Sequence, residues 1–541
     1  MFSSLIFRSW SSTNFRRLQT MKYITNKSKF LFLLLSVLSI PSLFAQEKGL
    51  DQQIDEAFKP FSDTISNIIF FEILGVPFVL ILLVGSALFF TIYFGFVNIR
   101  RFPTAINVVR GKYDELDENH GGKDSGYSEE GEVTHFQALA TAVSGTVGNG
   151  NIAGVALAIA LGGPGATFWM VICGLLGMSS KFVECTLGVQ YRDVGEDGTV
   201  YGGPMYYISK GLKERGFTTL GKVAAVFFAI FCIGGSFGGG NAAQSNQATI
   251  VLKDLMNLQS TAAGFWIGIV LAILVGVIII GGIKRIAQVT EKVVPFMAVM
   301  YVVACLYIIL SNFTLIDDAF SLIFAEAFNP TAIGVGSVIG VLLVGFKRAA
   351  FSNEAGAGSA SIAHSAVKTK YSASEGLVAL LEPFIDTVVI CTMTALVIVI
   401  FNFGGAFQYG GEGAVMIDGI SYEGAGITSK AFAQYIPFSN VFLTIAVVLF
   451  AVSTMISWSY YGLQSWKYLF GRGKAADLAY KLLFLTFVII GASASMNSIW
   501  AFSDAMIFAM VFPNMVGLFF LFPVVKKELN RYLKAIRTIE G

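Results

Sequence analysis

"TAVSGTVGNGNIAGVALAIALGGPG" (residues 141–165) reads in two ways at once. Its alanines, valines, isoleucines and leucines belong in hydrocarbon, yet Gly145, Gly148 and Gly150 stand beside Asn149 and Asn151 within it. Glycine costs about 1 kcal/mol relative to alanine in a helix interior, so this cluster is where a helix unwinds most cheaply. Unwound backbone at membrane depth is tolerated only where something polar meets its amides and carbonyls. The stretch therefore predicts an interrupted membrane helix with a polar guest at the break.

The remaining sequence makes the membrane setting compulsory. The chain has 541 residues, of which 55% are hydrophobic and 13% charged, with a mean hydropathy of +0.69; soluble domains carry about 25% charge. A net charge of +2 gives nucleic acid no footing. Cys173, Cys185, Cys232, Cys305 and Cys391 all lie in apolar stretches without metal-like spacing and read as small core residues. Three histidines are too few for a catalytic cluster, so neither an enzyme nor a cofactor is expected.

Residues 1–45 form an upstream segment and a secretory signal: from Met21, a basic start is followed by an apolar run and a small-residue exit near Ala45. The run is too short to span comfortably. Residues 46–72 are then an extracytoplasmic amino-terminal segment. Apolar stretches of spanning length occupy 73–99, 134–161, 163–190, 219–250, 262–282, 287–311, 331–362, 375–401, 434–461, 480–496 and 499–523, eleven in all. Lysine and arginine crowd alternate connections, which puts the mature amino terminus outside and the 524–541 tail in the cytoplasm of a bacterial-type plasma membrane.

The expected fold is an all-α polytopic membrane protein. Helix 73–99 is peripheral, and the other ten divide into 134–311 and 331–523, five each, which is the arithmetic of an inverted repeat. The first helix of the second half carries "FSNEAGAGSASIAHSA" (351–366), the counterpart of the opening stretch. Paired breaks in corresponding positions point to a midplane binding site in a transporter. A small zwitterion and a cation suit such a site, because helix amino ends favour carboxylate while freed carbonyls favour ammonium or Na+. Close helix packing is the other use of small residues.

Asn241, Gln244 and Gln247 lie at helical spacing three in "GGSFGGGNAAQSNQA" (234–248); their amides suit an amino acid or a neighbouring helix equally. In "AVSTMISWSYYG" (451–462), Ser453 and Thr454 offer hydroxyls to Na+, or back to their own helix. Lys181 and Glu184 stand at pairing distance on one helix. Glu354, Glu382 and Asp386 are expected as gate partners of Lys347 and Arg348 or as proton-linked groups, and His364 as structural.

With "GNIAGVALAIALGGPG" (150–165), "YGGPMYYISKGL" (201–212), "GNAAQSNQ" (240–247), "FKRAAFSNEAGAGSASIAHSA" (346–366) and "STMISWSYYG" (453–462), the chain resembles the alanine or glycine:cation symporters, the sodium:alanine symporters, of the LeuT-like group over residues 73–525. The resemblance implies cation-driven uptake of a small neutral amino acid through one peripheral helix plus a 5+5 core. It implies that backbone from Gly145 and Thr146 through Gly148, Asn149, Gly150 and Asn151 holds the carboxylate. Gln244 and Asn246 would touch substrate, Phe351 and Ser352 would flank the amine, and Trp458 would cap the pocket. Ser453 and Thr454, with carbonyls from Ala142, Val143 and Gly145, would hold Na+. The sequence departs from the family pattern at Thr167, Val171 and Gly174. A proton-coupled carrier, a larger glutamine-like substrate and a non-transporting amino-acid sensor stay open, and the oligomeric state is unknown.

Overall fold

The computed structural model describes residues 50–118, 131–331 and 337–540. The expected signal segment, residues 1–45, lies outside them, as does much of the 113–133 connection.

Helix dominates the described residues, and its punctuation follows from local chemistry. An amphipathic α1 (Leu50–Ile69) precedes α2 (Phe78–Tyr93), the separate first span, and a short α3 (Phe102–Val109). Thr134 then opens α4 (His135–Thr146) with a reciprocal cap: its hydroxyl accepts the Gln137 amide, and the Gln137 side chain accepts the Thr134 amide, both at 3.2 Å. After α4 the axis bends by 50° before α5 (Val155–Gly162). Gly163, at φ +72°, ends α5 in a conformation that favours glycine, and α6 (Gly165–Gln190) begins after Pro164.

The chain continues through α7 (Pro204–Glu214), α8 (Thr218–Phe237), α9 (Ala243–Met256), α10 (Ala263–Ile279), α11 (Gly282–Ser311) and α12 (Ile316–Phe328). The second interrupted span is α13 (Val338–Asn353) and α14 (Ser361–His364), followed by α15 (Ser372–Ala379) and α16 (Thr392–Asn402). A short α17 (Ala425–Ala433) leads to α18 (Ser439–Phe470), α19 (Lys474–Ser493) and α20 (Met496–Glu540). Wide π turns join α8 to α9 at Gly238–Ala242 and precede α16 at Phe384–Cys391. Three two-stranded hairpins, among them Ala414–Ile417 with Ile420–Glu423, decorate the connections.

Among the described residues, helix occupies at least part of each expected span. By length and apolarity alone seven helices qualify as crossings, or eight when the bent α4–α5 pair counts as one, while α2 and α10 are shorter apolar helices. The second break is the reason for part of the shortfall: it divides its span into α13 and α14, neither long enough alone.

Outward faces are greasy. Trp266, Val270, Ile273 and Val277 form an exposed stripe on α10, and Phe296, Val299, Val303 and Leu310 another on α11. The polarity is inside, where Lys181, Glu184, Glu354, Glu382 and Asp386 are buried. This arrangement is that of a polytopic membrane protein, in which lipid takes the place of water as the outer solvent.

Small residues set how closely the helices approach. A Cβ on Gly345 of α13 would stand 2.5 Å from the Ala166 carbonyl and 2.8 Å from Trp169 Cβ on α6. Gly345→Val must push these helices apart, at a cost of about 1–3 kcal/mol. The expected outcome is a lower melting temperature in detergent, with Gly404→Val unchanged because nothing lies within 4 Å of that position.

Candidate functional site at the two breaks

In a helix continuing past Thr146, the Gly148 and Asn149 amides would bond the Ser144 and Gly145 carbonyls. Instead the Gly148 amide donates to Asn151 Oδ1 at 2.8 Å, and the Asn149 amide to Gln244 Oε1 at 2.9 Å. The carbonyl of Ser144 takes a hydroxyl from another helix, that of Thr454 on α18, at 3.0 Å. Ser144 returns the contact by donating Oγ to the Ser453 carbonyl at 2.8 Å. Gly148 has to be glycine: an added methyl would overlap Thr454 Oγ1 and stand 3.0 Å from Gln244 Oε1.

The second break follows α13. Asn353 turns Oδ1 onto the Ala355 amide (3.0 Å), and Glu354 (φ +55°), Gly356 (φ +95°) and Gly358 (φ +90°) carry the chain through left-handed backbone to α14. Glu354 is tied across the site by Trp458 Nε1, which donates to its Oε1 at 3.0 Å, and by the Ser359 hydroxyl, which donates to Oε2 at 2.5 Å.

One carboxylate joins the two breaks. Asn151 Nδ2 donates to Asp386 Oδ1 (2.6 Å) and to the Asp386 carbonyl (3.0 Å), while Ser352 Oγ and Thr387 Oγ1 donate to Asp386 Oδ2 at 2.9 and 2.7 Å. Cys391 Sγ lies 3.3 Å from Asn151 Nδ2. The distance between the broken segments is correspondingly small, since a Cβ on Gly150 would be 3.4 Å from Ser352 Cα.

The structure brings together most of the residues expected from sequence: Gly145, Gly148, Asn149, Gly150, Asn151, Gln244, Ser352, Thr454 and Trp458 all border this buried region. Others are placed differently. Asn246 donates to the Gly491 and Ala494 carbonyls (3.2 and 2.9 Å), and Asn241 to the Phe484 carbonyl (2.6 Å), so these amides bind α19 and its end. The Val143 carbonyl still accepts the Val147 amide (2.7 Å), and Thr146 Oγ1 reaches the Ala142 and Val143 carbonyls at 3.3 and 3.4 Å. Helix therefore persists through Thr146, and the released carbonyls are those of Ser144 and Gly145 rather than Ala142 and Val143. Ser453 Oγ bonds back to the Phe450 carbonyl at 2.9 Å and leaves its own carbonyl toward the break. Phe351 stacks on Trp500 with ring centroids 5.0 Å apart.

The charged pairs also differ from expectation. Lys181 pairs at 3.0 Å with Glu382 and not with Glu184, which instead accepts Asn514 Nδ2 at 2.8 Å. Lys347 and Arg348 meet Asp504 of α20 rather than Glu354 or Asp386. Residues absent from the expected set include Thr387, Tyr461 and Thr428, whose hydroxyl donates to the Ile152 carbonyl (3.1 Å). Gly174, one of the departures from the family pattern, lets α6 approach Thr387, where a Cβ would be 2.9 Å from Thr387 Cβ. Nothing short-range in the sequence marks these contacts. The five cysteines are free and buried, as expected.

Paired helix breaks around a buried polar centre, enclosed by helices with greasy outer faces, define a membrane carrier rather than a catalyst. The chain belongs to the sodium:alanine symporter family, which residues 59–540 match. It is 40% identical over 458 residues to the sodium/alanine symporter AgcS of Methanococcus maripaludis, covering 84% of this chain and 94% of that one. It is 31% identical over 464 residues to the probable sodium/glutamine symporter GlnT of Bacillus subtilis, covering 86% and 89%. Among solved structures it is similar to MhsT in complex with L-phenylalanine, with a TM-score of 0.48, 14% identity, and coverage of 74% and 99%. The protein is thus an amino-acid symporter of the membrane and not an enzyme.

Filling the gap between the breaks tests the site. Gly150→Leu is expected to reduce amino-acid uptake at least tenfold while the protein still elutes as a single species in detergent. Near-normal uptake would move the site elsewhere.

Proposed function

We propose that this chain couples inward Na+ flow to the uptake of a small neutral amino acid, alanine or glycine, by alternating access. The supporting observation is the pair of amides at Gly148 and Asn149. They are held by two neutral side-chain oxygens, those of Asn151 and Gln244, each accepting one amide where a carboxylate oxygen would accept it. An arriving amino acid replaces those oxygens with its own carboxylate, a charge-assisted exchange at a helix break. Its ammonium then lies toward Ser352 and Asp386. Trp458 packs on Gly240 and Phe351 on Trp500, which limits the side chain that fits beyond them and favours alanine or glycine over glutamine.

The cation site follows from the same unwinding. Ser144 and Gly145 carbonyls, the Thr454 hydroxyl and the Ser453 carbonyl supply hard oxygen ligands of the kind Na+ takes. Na+ bridging α4 and α18 fixes the break in its open-amide form, so ion and substrate bind together. In the orientation we infer, the mature amino terminus is outside and the 524–541 tail cytoplasmic, in a plasma membrane, and residues 134–311 and 331–523 act as the two repeats. A potential of 100 mV then supplies about 2.3 kcal/mol per Na+ carried inward.

Thr454→Ala removes one of these oxygens. The Na+ concentration for half-maximal uptake is expected to rise about tenfold, equivalent to about 1.4 kcal/mol, with surface expression unchanged. An unaltered Na+ activation curve in proteoliposomes would remove this ion site.

A further inference from the structure

Five titratable side chains form a line that neither the substrate nor the cation requires. His135, at the start of α4, contacts one oxygen of Glu375 on α15. His364 Nδ1 lies 2.5 Å from the other oxygen of that carboxylate. Its Nε2 faces Glu382 Oε2 at 3.6 Å, and Glu382 Oε1 lies 3.0 Å from Lys181 Nζ. The sequence of groups is base, acid, base, acid, base, the arrangement that proton pathways in membrane proteins use.

The line has an aqueous end and an inner end. His135, with 11% of its side chain exposed, borders a surface cavity together with Asp114, Thr134, Lys368 and Lys370. The other four members are fully buried. At the inner end Glu184 follows Lys181 by three residues on α6 and accepts Asn514, and Glu354 carries Trp458 of the substrate region. Asp386 lies one turn beyond Glu382. The nearby cations are otherwise engaged: Arg192 reaches the Ser365 and Val367 carbonyls, and Arg531 stacks on Tyr371.

Two features separate this line from a purely structural ion cluster. Lys181 offsets only one of the buried carboxylates Glu184, Glu375 and Glu382, so neutrality requires further protons, which the histidines and carboxyl groups can hold. The link between His364 Nε2 and Glu382 Oε2 is also open, for 3.6 Å is beyond hydrogen-bond range and both atoms are buried without a hydrogen-bond partner. A small rotation of the imidazole closes it.

We propose that His135, Glu375, His364 and Glu382 are a proton relay, so that the chain binds and moves a proton during amino-acid transport through side chains separate from those holding the substrate and Na+. A proton from His135 goes onto one oxygen of Glu375 as the other oxygen gives its own to Nδ1 of His364, Nε2 of His364 gives its proton to Glu382 Oε2, and Glu382 releases it to water when the site opens to the opposite side. Each transfer breaks one N–H or O–H bond and forms another, and nothing is oxidised or reduced. The symporter reading enters only through the substrate that drives the cycle.

The test uses purified full-length protein in liposomes with an entrapped pH dye and a Na+ gradient. Adding alanine to wild type is expected to produce a dye signal that a protonophore abolishes. His364→Gln and, at the rim, His135→Gln are expected to reduce that signal at least fivefold while labelled-alanine exchange at equal Na+ persists. Robust alanine uptake in wild type without a dye signal overturns the relay, as does a signal of unchanged size in an exchange-competent variant. Thr454→Ala keeps the readings apart, since it shifts Na+ activation while leaving the proton signal per alanine unchanged.

Discussion

A peptide group without a partner costs several kcal/mol in hydrocarbon, and this constraint decides what surrounds the two breaks. The Gly148 and Asn149 amides leave the helical ladder, and each finds a side-chain oxygen. The Ser144 carbonyl finds the Thr454 hydroxyl. Asn151 and Ser352, one from each break, then meet on Asp386. Every one of these partners is neutral or carries a charge that a small zwitterion and a cation can complement. The break is held by contacts that the transported species are proposed to replace in kind.

The same physics governs the buried charges. Glu382 has Lys181, and Asp504 has both Lys347 and Arg348, so these carboxylates sit in low dielectric with a cation beside them. Asp386 differs, because its partners are two hydroxyls and an amide. A carboxylate held only by neutral donors still attracts a positive group, and it stands where the ammonium of an amino acid is proposed to lie. Glu354 resembles it, with Ser359 and Trp458 as its donors. The paired charges tie helices together, while Asp386 and Glu354 border the proposed substrate region.

Glycine has two distinct roles in this region. At Gly356 and Gly358 the backbone takes positive φ and needs a residue without Cβ. At Gly148 and Gly174 the conformation is ordinary and the need is space, for Thr454 in one case and Thr387 in the other. A sequence reading sees both as places where helix is weak. Only the second kind depends on which helix arrives from elsewhere.

The chain's composition and the placing of its apolar runs determined that it lives in lipid, and the glycine and asparagine clusters determined where two spans break. These are local properties, set by what one segment gains in hydrocarbon and loses in helix. The residues around the breaks were legible to the extent that they lay within the clusters or matched the family's motifs. Tertiary structure decided the partners: Lys181 with Glu382 across two hundred residues, Asn246 and Asn241 on α19, and Ser144 rather than Ala142 facing Thr454. A side chain's spacing in sequence fixes its face on a helix, but the neighbour it meets depends on how other helices pack, and those contacts have no periodicity of their own.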